Sequence, residues 1–287
     1  MSEDALIMTD EEFHLFRDFV YAQSHIYCAS AQRALFEKKI RKNVETLALP
    51  SFQAYYNLLT RSPERARECA RLLESIAVHE TSFFRISGHF TGLTEFVFPQ
   101  LSARPEKTPI HLWSVGCSTG EEPYSIIMTF LEYQERQTAG GGRDLAVFAS
   151  DLSASAIAKA EHAAYFLRQL RKIPQPFLDK YFICHHDQYH LVDKVKQRVT
   201  FRVFNLVELP TFSRRMFDVI FCRNVLIYFS HQAQIELLDG LLNLLRVGGY
   251  LFLGDAESLH VFPDICKRVD LIELRNAVIY QKRGGGS

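Results

Sequence analysis

The chain has 287 residues, with 33 basic and 33 acidic side chains and a formal net charge of zero, so no global field draws it to nucleic acid. No apolar run is long enough to cross a membrane, and the length suits one to two domains with a sizeable core. The opening Met1-Ser2-Glu3-Asp4 lacks a signal peptide's charge pattern, and the six cysteines form no Cys-x-x-Cys pair; reduced thiols and a cytoplasmic location are expected.

Thr9-Asp10-Glu11-Glu12 reads as a helix start, with an acceptor at the cap and acids in the first turn. Phe13, Phe16, Val20 and Tyr27 supply its apolar stripe. A second helix runs from about Ser30 to Thr46, with Arg33, Lys38, Lys39, Arg41 and Lys42 on its polar side. Such a run is either a solvated face or a dock for an acidic partner. Pro50-Ser51 opens a third helix, and Ser62-Pro63-Glu64 a fourth that runs to about Val78. An all-α N-terminal domain over residues 1–80 is expected. His79-Glu80-Thr81-Ser82-Phe83-Phe84-Arg85 then reads as a domain joint. Adjacent phenylalanines are ordinary core, but an arginine directly after them is rarely buried without a partner.

Ile110 to Val115 is a short apolar run, a buried strand. Gly116-Cys117-Ser118-Thr119-Gly120-Glu121-Glu122-Pro123 follows, and apolar residues at helical spacing continue to Tyr133. Strand, glycine turn and helix start are where an open α/β sheet places a ligand, and Gly116 lets the backbone come close to it. The spacing is neither Gly-x-Gly-x-x-Gly nor the Gly-Lys-Ser/Thr of a P-loop. Glu121 and Glu122 would repel a pyrophosphate and suit a cation-bearing ligand; S-adenosylmethionine carries an ammonium and a sulfonium. The alternative is an ordinary turn whose acids the helix dipole favours.

Gly140-Gly141-Gly142-Arg143 reads as a flexible break and Leu145 to Ala149 as the next strand. Asp151 follows, where dinucleotide and methyl-donor folds place an acid on the ribose hydroxyls. Capping of the helix that starts at Ala154, by Asp151 or Ser153, is the competing reading. From about 170 to 200 the α/β rhythm breaks, and the alternation at Tyr181-Phe182-Ile183 and Tyr189-His190-Leu191-Val192 suggests a small antiparallel insertion. Cys184, His185, His186 and His190 invite a metal reading, but neighbouring strand side chains point to opposite faces and would not converge readily. Val199 to Val203 is a strand ending at Asn205-Leu206, and Phe217 to Cys222 is a buried central strand followed by Arg223-Asn224. Leu237 to Leu245 is a helix closed by Gly248-Gly249, and strands follow at Tyr250 to Leu253, Val269 to Glu273 and Val278 to Gln281.

With these motifs in place the chain resembles the CheR family, the S-adenosylmethionine-dependent protein-glutamate O-methyltransferases of bacterial chemotaxis. Trp113 to Ser125, Ala149 to Leu152, Asn205-Leu206 and Phe221 to Phe229 carry the likeness, with His79 to Arg85 in weaker form. It covers nearly the whole chain. It implies a Rossmann-like class I methyltransferase domain over residues 81–283, with a small antiparallel β insertion, preceded by the all-α domain and followed by a flexible tail at 284–287. It also implies S-adenosylmethionine as methyl donor and glutamates of a chemoreceptor's cytoplasmic helical domain as acceptors. A monomer is expected, with no nucleic acid partner, no direct membrane insertion and no metal.

Residue by residue, the resemblance gives Thr81 and Arg85 donor contacts from the domain joint. Glu121 or Glu122 would take the methionine ammonium, beside Gly116, and Asp151 the ribose. Asn205 and Leu206 would border the adenine. Cys222 (through its backbone), Arg223 and Asn224 would line the methionine end, and Tyr228 would face the transferred methyl. Arg85 and Tyr228 are the candidate catalytic residues. Three departures stand out. The joint motif begins with His79 where the family usually has asparagine. Gly254-Asp255-Ala256-Glu257 stands where many relatives read Gly-His-Ser-Glu. The insertion lacks the glycine-rich loop of members that grip a receptor's C-terminal pentapeptide, so the basic second helix is expected to carry docking. Two rivals remain open: a Rossmann-like methyltransferase with another substrate, and a non-catalytic donor-binding regulator.

Overall fold

The computed structural model describes residues 6–137, 142–211 and 216–284. Gly140 and Gly141 of the expected break, and residues 285–287 of the expected tail, lie outside them.

Four helices come first: α1 (Asp10–Ser24), α2 (Arg33–Thr46), α3 (Phe52–Arg61) and α4 (Arg65–Ile76). Thr9 and Glu12 close a reciprocal capping box on α1, and Ser51 caps α3, satisfying amides that a helix start leaves open. Phe13, Phe16, Val20, Phe36, Ile40, Phe52 and Tyr55 bury into a core of their own. Tyr27 is not part of that stripe. The chain leaves the helix at His25, in the left-handed region, and Tyr27 stays 48 % exposed.

A helical stretch that the sequence reading missed follows the joint: α5 (Ser87–Gly92), a π turn (Leu93–Val97) and α6 (Phe98–Ser102). Then come β1 (Ile110–Val115), α7 (Glu121–Arg136), β2 (Leu145–Asp151) and α8 (Ala154–His162). The insertion holds β3 (Ala164–Phe166), α9 (Leu167–Leu170), α10 (Gln175–Tyr181), β4 (Phe182–His185), β5 (Gln188–Leu191) and α11 (Asp193–Lys196). Its three strands form an antiparallel sheet in the order β3-β5-β4. It therefore starts at Ala164, before the expected 170, because β3 gains its strand character only by pairing with the distant β5.

The chain continues with β6 (Val199–Val203), β7 (Phe217–Cys222), α12 (His231–Leu244), β8 (Leu245–Leu253), α13 (Pro263–Cys266), β9 (Val269–Leu274) and β10 (Ala277–Lys282). Gly248-Gly249 was expected to close a helix; both lie inside β8. The β7–β8 register shifts there, between Phe217 and Val219, and glycines within a strand commonly mark such an irregularity. A Cβ on Gly249 would meet Asp218 O at 2.8 Å. The helix itself starts at His231, capped by Ser230, rather than at Leu237.

The main sheet has seven strands in the order β6-β2-β1-β7-β8-β10-β9, parallel except for β10. Side chains alternate between its faces: Leu112, Val219 and Phe221 enter one core cluster, Trp113, Ile220 and Cys222 the other. That two-sided burial explains the uninterrupted apolar run of β7. From β1 the chain proceeds outward through β2 to β6, and then returns to β7 on the other side. The boundary between β1 and β7 is the topological switch point, where a doubly wound sheet opens a crevice at the strands' carboxyl ends.

Candidate active site

The crevice has two compartments that share Val78, Gly116, Asn224 and Tyr228. The first lies beside Asp151, at the carboxyl end of β2. It is largely apolar: Ile26 and Ile76 from the helical unit face Leu152, Phe204, Leu206 and Phe229, with Asp151 and Asn205 among them. The second is polar, lined by Glu80, Thr81, Ser82, Arg85, Ser118, Glu122 and Arg223 as well as Ile227.

Local folding accounts for each functional side chain. Gly116 turns the chain out of β1 at φ 65°, and a Cβ there would stand 2.7 Å from Val225 Cγ2; only glycine leaves the waist between the compartments open. Gly120, at φ 93°, ends the turn and starts α7. Asp151 is the last residue of β2. Its carboxylate accepts from Ser118 N at 2.8 Å and Ser153 N at 2.9 Å. Ser153, by accepting from Ala156 N, is the cap of α8, so Asp151 is not spent on capping. Glu74 on α4 accepts from Ser153 Oγ and Ser155 N and ties the helical unit to this turn. Asn205 donates from Nδ2 to Gln23 O at 2.7 Å, a second tie to α1.

The two acids after the glycine turn have different surroundings. Glu121 is buried beneath Thr119 Oγ1 and Gln169 Nε2, which donate to it at 2.7 and 3.3 Å, and it does not line the crevice. Glu122 faces the polar compartment. Ser114 Oγ donates to it at 2.7 Å and Arg223 Nη1 lies 3.2 Å away. Burial raises the Glu122 carboxyl above its ordinary value while Arg223 opposes the shift. Replacing Glu122 with glutamine should weaken donor binding, whereas Glu121→Gln should leave it nearly unchanged; titration calorimetry with S-adenosylmethionine reads both. Equal losses would put Glu121 in the site as well.

Arg223 follows β7 directly. Its guanidinium is buried, donates to Arg85 O and stacks near the Phe90 and Phe221 rings. Its Nε and the Ser118 Oγ are buried without a hydrogen-bond partner. Arg85 lies between Phe84 (φ 50°) and Ile86 (φ 59°), a backbone conformation that costs non-glycine residues about 1 kcal/mol or more and concentrates at functional sites. Its Nη1 donates to Glu80 O at 3.0 Å. Tyr228 is half-buried, and burial pushes its phenol above the ordinary value.

Of the residues singled out from sequence, Thr81, Arg85, Gly116, Glu122, Asp151, Asn205, Leu206, Arg223, Asn224 and Tyr228 line the crevice. Three do not. Cys222, whose expected contact is through its backbone, is fully buried at the end of β7, Glu121 turns away, and His79 stands beside the site with Nε2 3.9 Å from Asp151 Oδ1. The five basic residues of α2 do not form one free face. Arg33 bonds Asp10 and Met8 O, Lys39 donates to Ile76 O at 2.7 Å, and Arg41 pairs with Glu37. Lys38 and Lys42 are exposed. In the insertion, the His185 and His190 rings come within 5.9 Å, yet among the described residues no group of three or more His, Cys, Asp or Glu side chains is placed to hold a metal. Sequence reading gave Glu257 no role: in Gly254-Asp255-Ala256-Glu257 the departures from Gly-His-Ser-Glu are Asp255 and Ala256, while Glu257 matches; its carboxylate accepts four backbone amides at the edge of the crevice.

A methyl-donor nucleoside fits this donor set. An apolar slot with a carboxylate at one side suits adenosine, and a pocket with Glu122 opposite Arg85 and Arg223 suits the ammonium and carboxylate of methionine. The buried Arg223 Nε and Ser118 Oγ leave polar groups there to be satisfied. The fold and crevice define a class I S-adenosylmethionine-dependent methyltransferase. Residues 79–269 match the CheR methyltransferase SAM-binding domain, and residues 11–77 match the CheR methyltransferase all-alpha domain. The chain belongs to the CheR family. It is 32% identical over 256 residues to chemotaxis protein methyltransferase 2 of Vibrio cholerae, covering 88% of each chain. It is 32% identical over 279 residues to the chemotaxis protein methyltransferase of Vibrio anguillarum, covering 96% of this chain and 98% of the other. It is also 35% identical over 232 residues to the probable biofilm formation methyltransferase WspC of Pseudomonas aeruginosa, covering 80% of this chain and 53% of that one. Among the described residues no helix is long and apolar enough to cross a membrane.

Proposed function

We propose that this methyltransferase esterifies glutamate side chains on the cytoplasmic helical domain of chemoreceptors. The observation that carries this reading is the titratable lining of the polar compartment. Among the described residues neither histidine nor lysine lines it. Tyr228 has its phenol pushed up by burial, so it stays protonated at neutral pH and serves as a donor. Of the compartment's two carboxylates, Glu122 is engaged by Arg223 and Glu80 is exposed to solvent. Such a site suits an acceptor that is already an anion, and a glutamate carboxylate is one at neutral pH. An alcohol or ammonium acceptor would need a proton removed.

S-adenosylmethionine supplies the electrophilic methyl. The protein's task is placement, which can be worth several kcal/mol. Asp151 holds the ribose, Glu122 the ammonium, and Arg85 and Arg223 the carboxylate end. Tyr228 orients the acceptor at the mouth. Charge is neutralised as a neutral ester forms, so a cation clamped on the acceptor oxygens would favour the ground state; this argues for Arg85 on the donor side. Chemotaxis and biofilm formation both appear in the names of relatives, and the reading concerns the acceptor's chemistry rather than the pathway. Labelled-methyl transfer to receptor-containing membranes tests it: the label should leave as methanol in alkali and map to glutamate. Alkali-stable label would point to N-methylation and overturn the proposal.

Docking is assigned to the exposed cations of α2. Lys38 and Lys42 are one helical turn apart on the same face and would meet a glutamate-bearing receptor helix, raising the encounter rate in a salt-screened manner. Reversing both to glutamate should raise the apparent KM for receptor, leave donor affinity alone and flatten the salt dependence of the rate. Deleting the receptor's last residues should change little. A silent reversal together with loss of methylation on tail deletion would move docking to the β insertion.

A further inference from the structure

We propose that Glu257 is the positioning residue of the loop after β7: its carboxylate is the fixed anion around which that loop is built. The inference rests on the crevice being the methyl-transfer site. The loop carries Arg223, Asn224 and Tyr228, which line the polar compartment. Asn224 takes φ 58°, and the N–H groups of Asn224, Val225 and Leu226 converge on one side chain. Successive amides in such a turn make an anion-binding concavity. Glu257 fills it: Oε2 accepts from Asn224 N and Gly254 N, both at 2.7 Å, and Oε1 from Val225 N and Leu226 N, both at 2.8 Å. All four bonds are charge-assisted, the stronger class.

One side chain thus ties together the tips of the neighbouring strands β7 and β8. The fit is close. A Cβ on Gly254 would lie 2.8 Å from Glu257 Oε2 and 2.9 Å from Asn224 N. The far end of the same loop is fixed by the Tyr228 carbonyl, which accepts from Tyr27 N at 2.8 Å. Glu257 lines neither donor compartment. It sets the stance of Arg223, Asn224 and Tyr228 without reaching donor or acceptor itself.

The test compares the wild-type chain with Glu257→Gln and Glu257→Ala. Glutamine keeps the shape but presents an N–H₂ to amides that are themselves donors. The expected result is a fall in kcat of about 100-fold, the scale of a reacting group displaced by about 1 Å, with a folded chain of lowered melting temperature and a weaker donor affinity, because Arg223 and Asn224 move with the loop. In Glu257→Ala, added formate should recover kcat, and chloride at equal ionic strength should not, because the amides still converge on an anion site. The amide resonances of Asn224, Val225 and Leu226 should shift in that variant and return with formate. This readout needs no acceptor. If those amides respond as described while wild type methylates no receptor glutamate, the loop assignment is upheld and the acceptor reading fails. Full activity in Glu257→Gln, no response to formate, or loss of folding in both variants would overturn the proposal; the last would make Glu257 a part of the fold alone.

Discussion

Arg223→Met is expected to cost about 3 kcal/mol of stability and most of the donor affinity. The figure is the lower end of the range for removing one partner of a buried ion pair, taken because the Glu122 side chain keeps 14% exposure while that of Arg223 keeps 1%. The loss follows from what remains: a desolvated Glu122 carboxylate with Ser114 Oγ as its hydrogen-bond donor and the weaker influence of Arg85 in place of a direct ion pair. The pH dependence has a definite sign. Burial already raises the Glu122 carboxyl, and Arg223 lowers it, so removing the cation raises it further. A carboxyl whose folded value lies above its unfolded value contributes stability that is fully present below the unfolded value and lost as pH rises through the folded one. Chemical denaturation should therefore find Arg223→Met closest to wild type at mildly acidic pH and furthest from it above neutrality. Adding Glu122→Gln should recover part of the stability but not the donor affinity. A pH-independent deficit would show that the pair is not coupled as the geometry indicates.

Asp151→Ala is expected to raise the donor dissociation constant roughly 10- to 150-fold, the loss of about 1.5–3 kcal/mol for hydrogen bonds to a charged group. The carboxylate already accepts from Ser118 N and Ser153 N, which fixes it at the boundary between β2 and the apolar compartment. Those two amides can turn to water when it is removed, and Ser153 continues to cap α8, so the fold should persist. The measurement is the donor-induced rise in melting temperature, which mass action ties to affinity, together with calorimetry. An unchanged rise would remove Asp151 from the ribose site.

The same two residues show how far the site was readable in the sequence. Asp151 stood out because strand, turn and helix start each leave a local signature, and an acid at the end of the second strand has a chemical purpose there. Arg223 entered through resemblance and not through spacing. Its role depends on Glu122, a hundred residues away in the chain, and only the adjacency of β1 and β7 brings them together. Glu257 was less legible still. Its partners are backbone amides, identical for every residue type, and no composition or period records where they point.

What the sequence alone determined was the local part. Hydrophobic period and length placed β1, β6 and β7 at their observed bounds. Capping residues placed α1 and α3, and the two glycines placed the ligand turn. These features depend on interactions within a few residues. The tertiary structure decided the rest. It put Gly248-Gly249 inside β8, through pairing with β7. It made Ala164 to Phe166 a strand, through pairing with β5. It turned Glu121 beneath Gln169 and Glu122 toward Arg223. It committed Arg33, Lys39 and Arg41 of α2 to neighbours in the helical unit, leaving Lys38 and Lys42 exposed. In each case the deciding energy is burial or hydrogen bonding to groups distant in the chain. A charge run looks alike on paper whether its members face water or a helix C-terminus, and only packing distinguishes them.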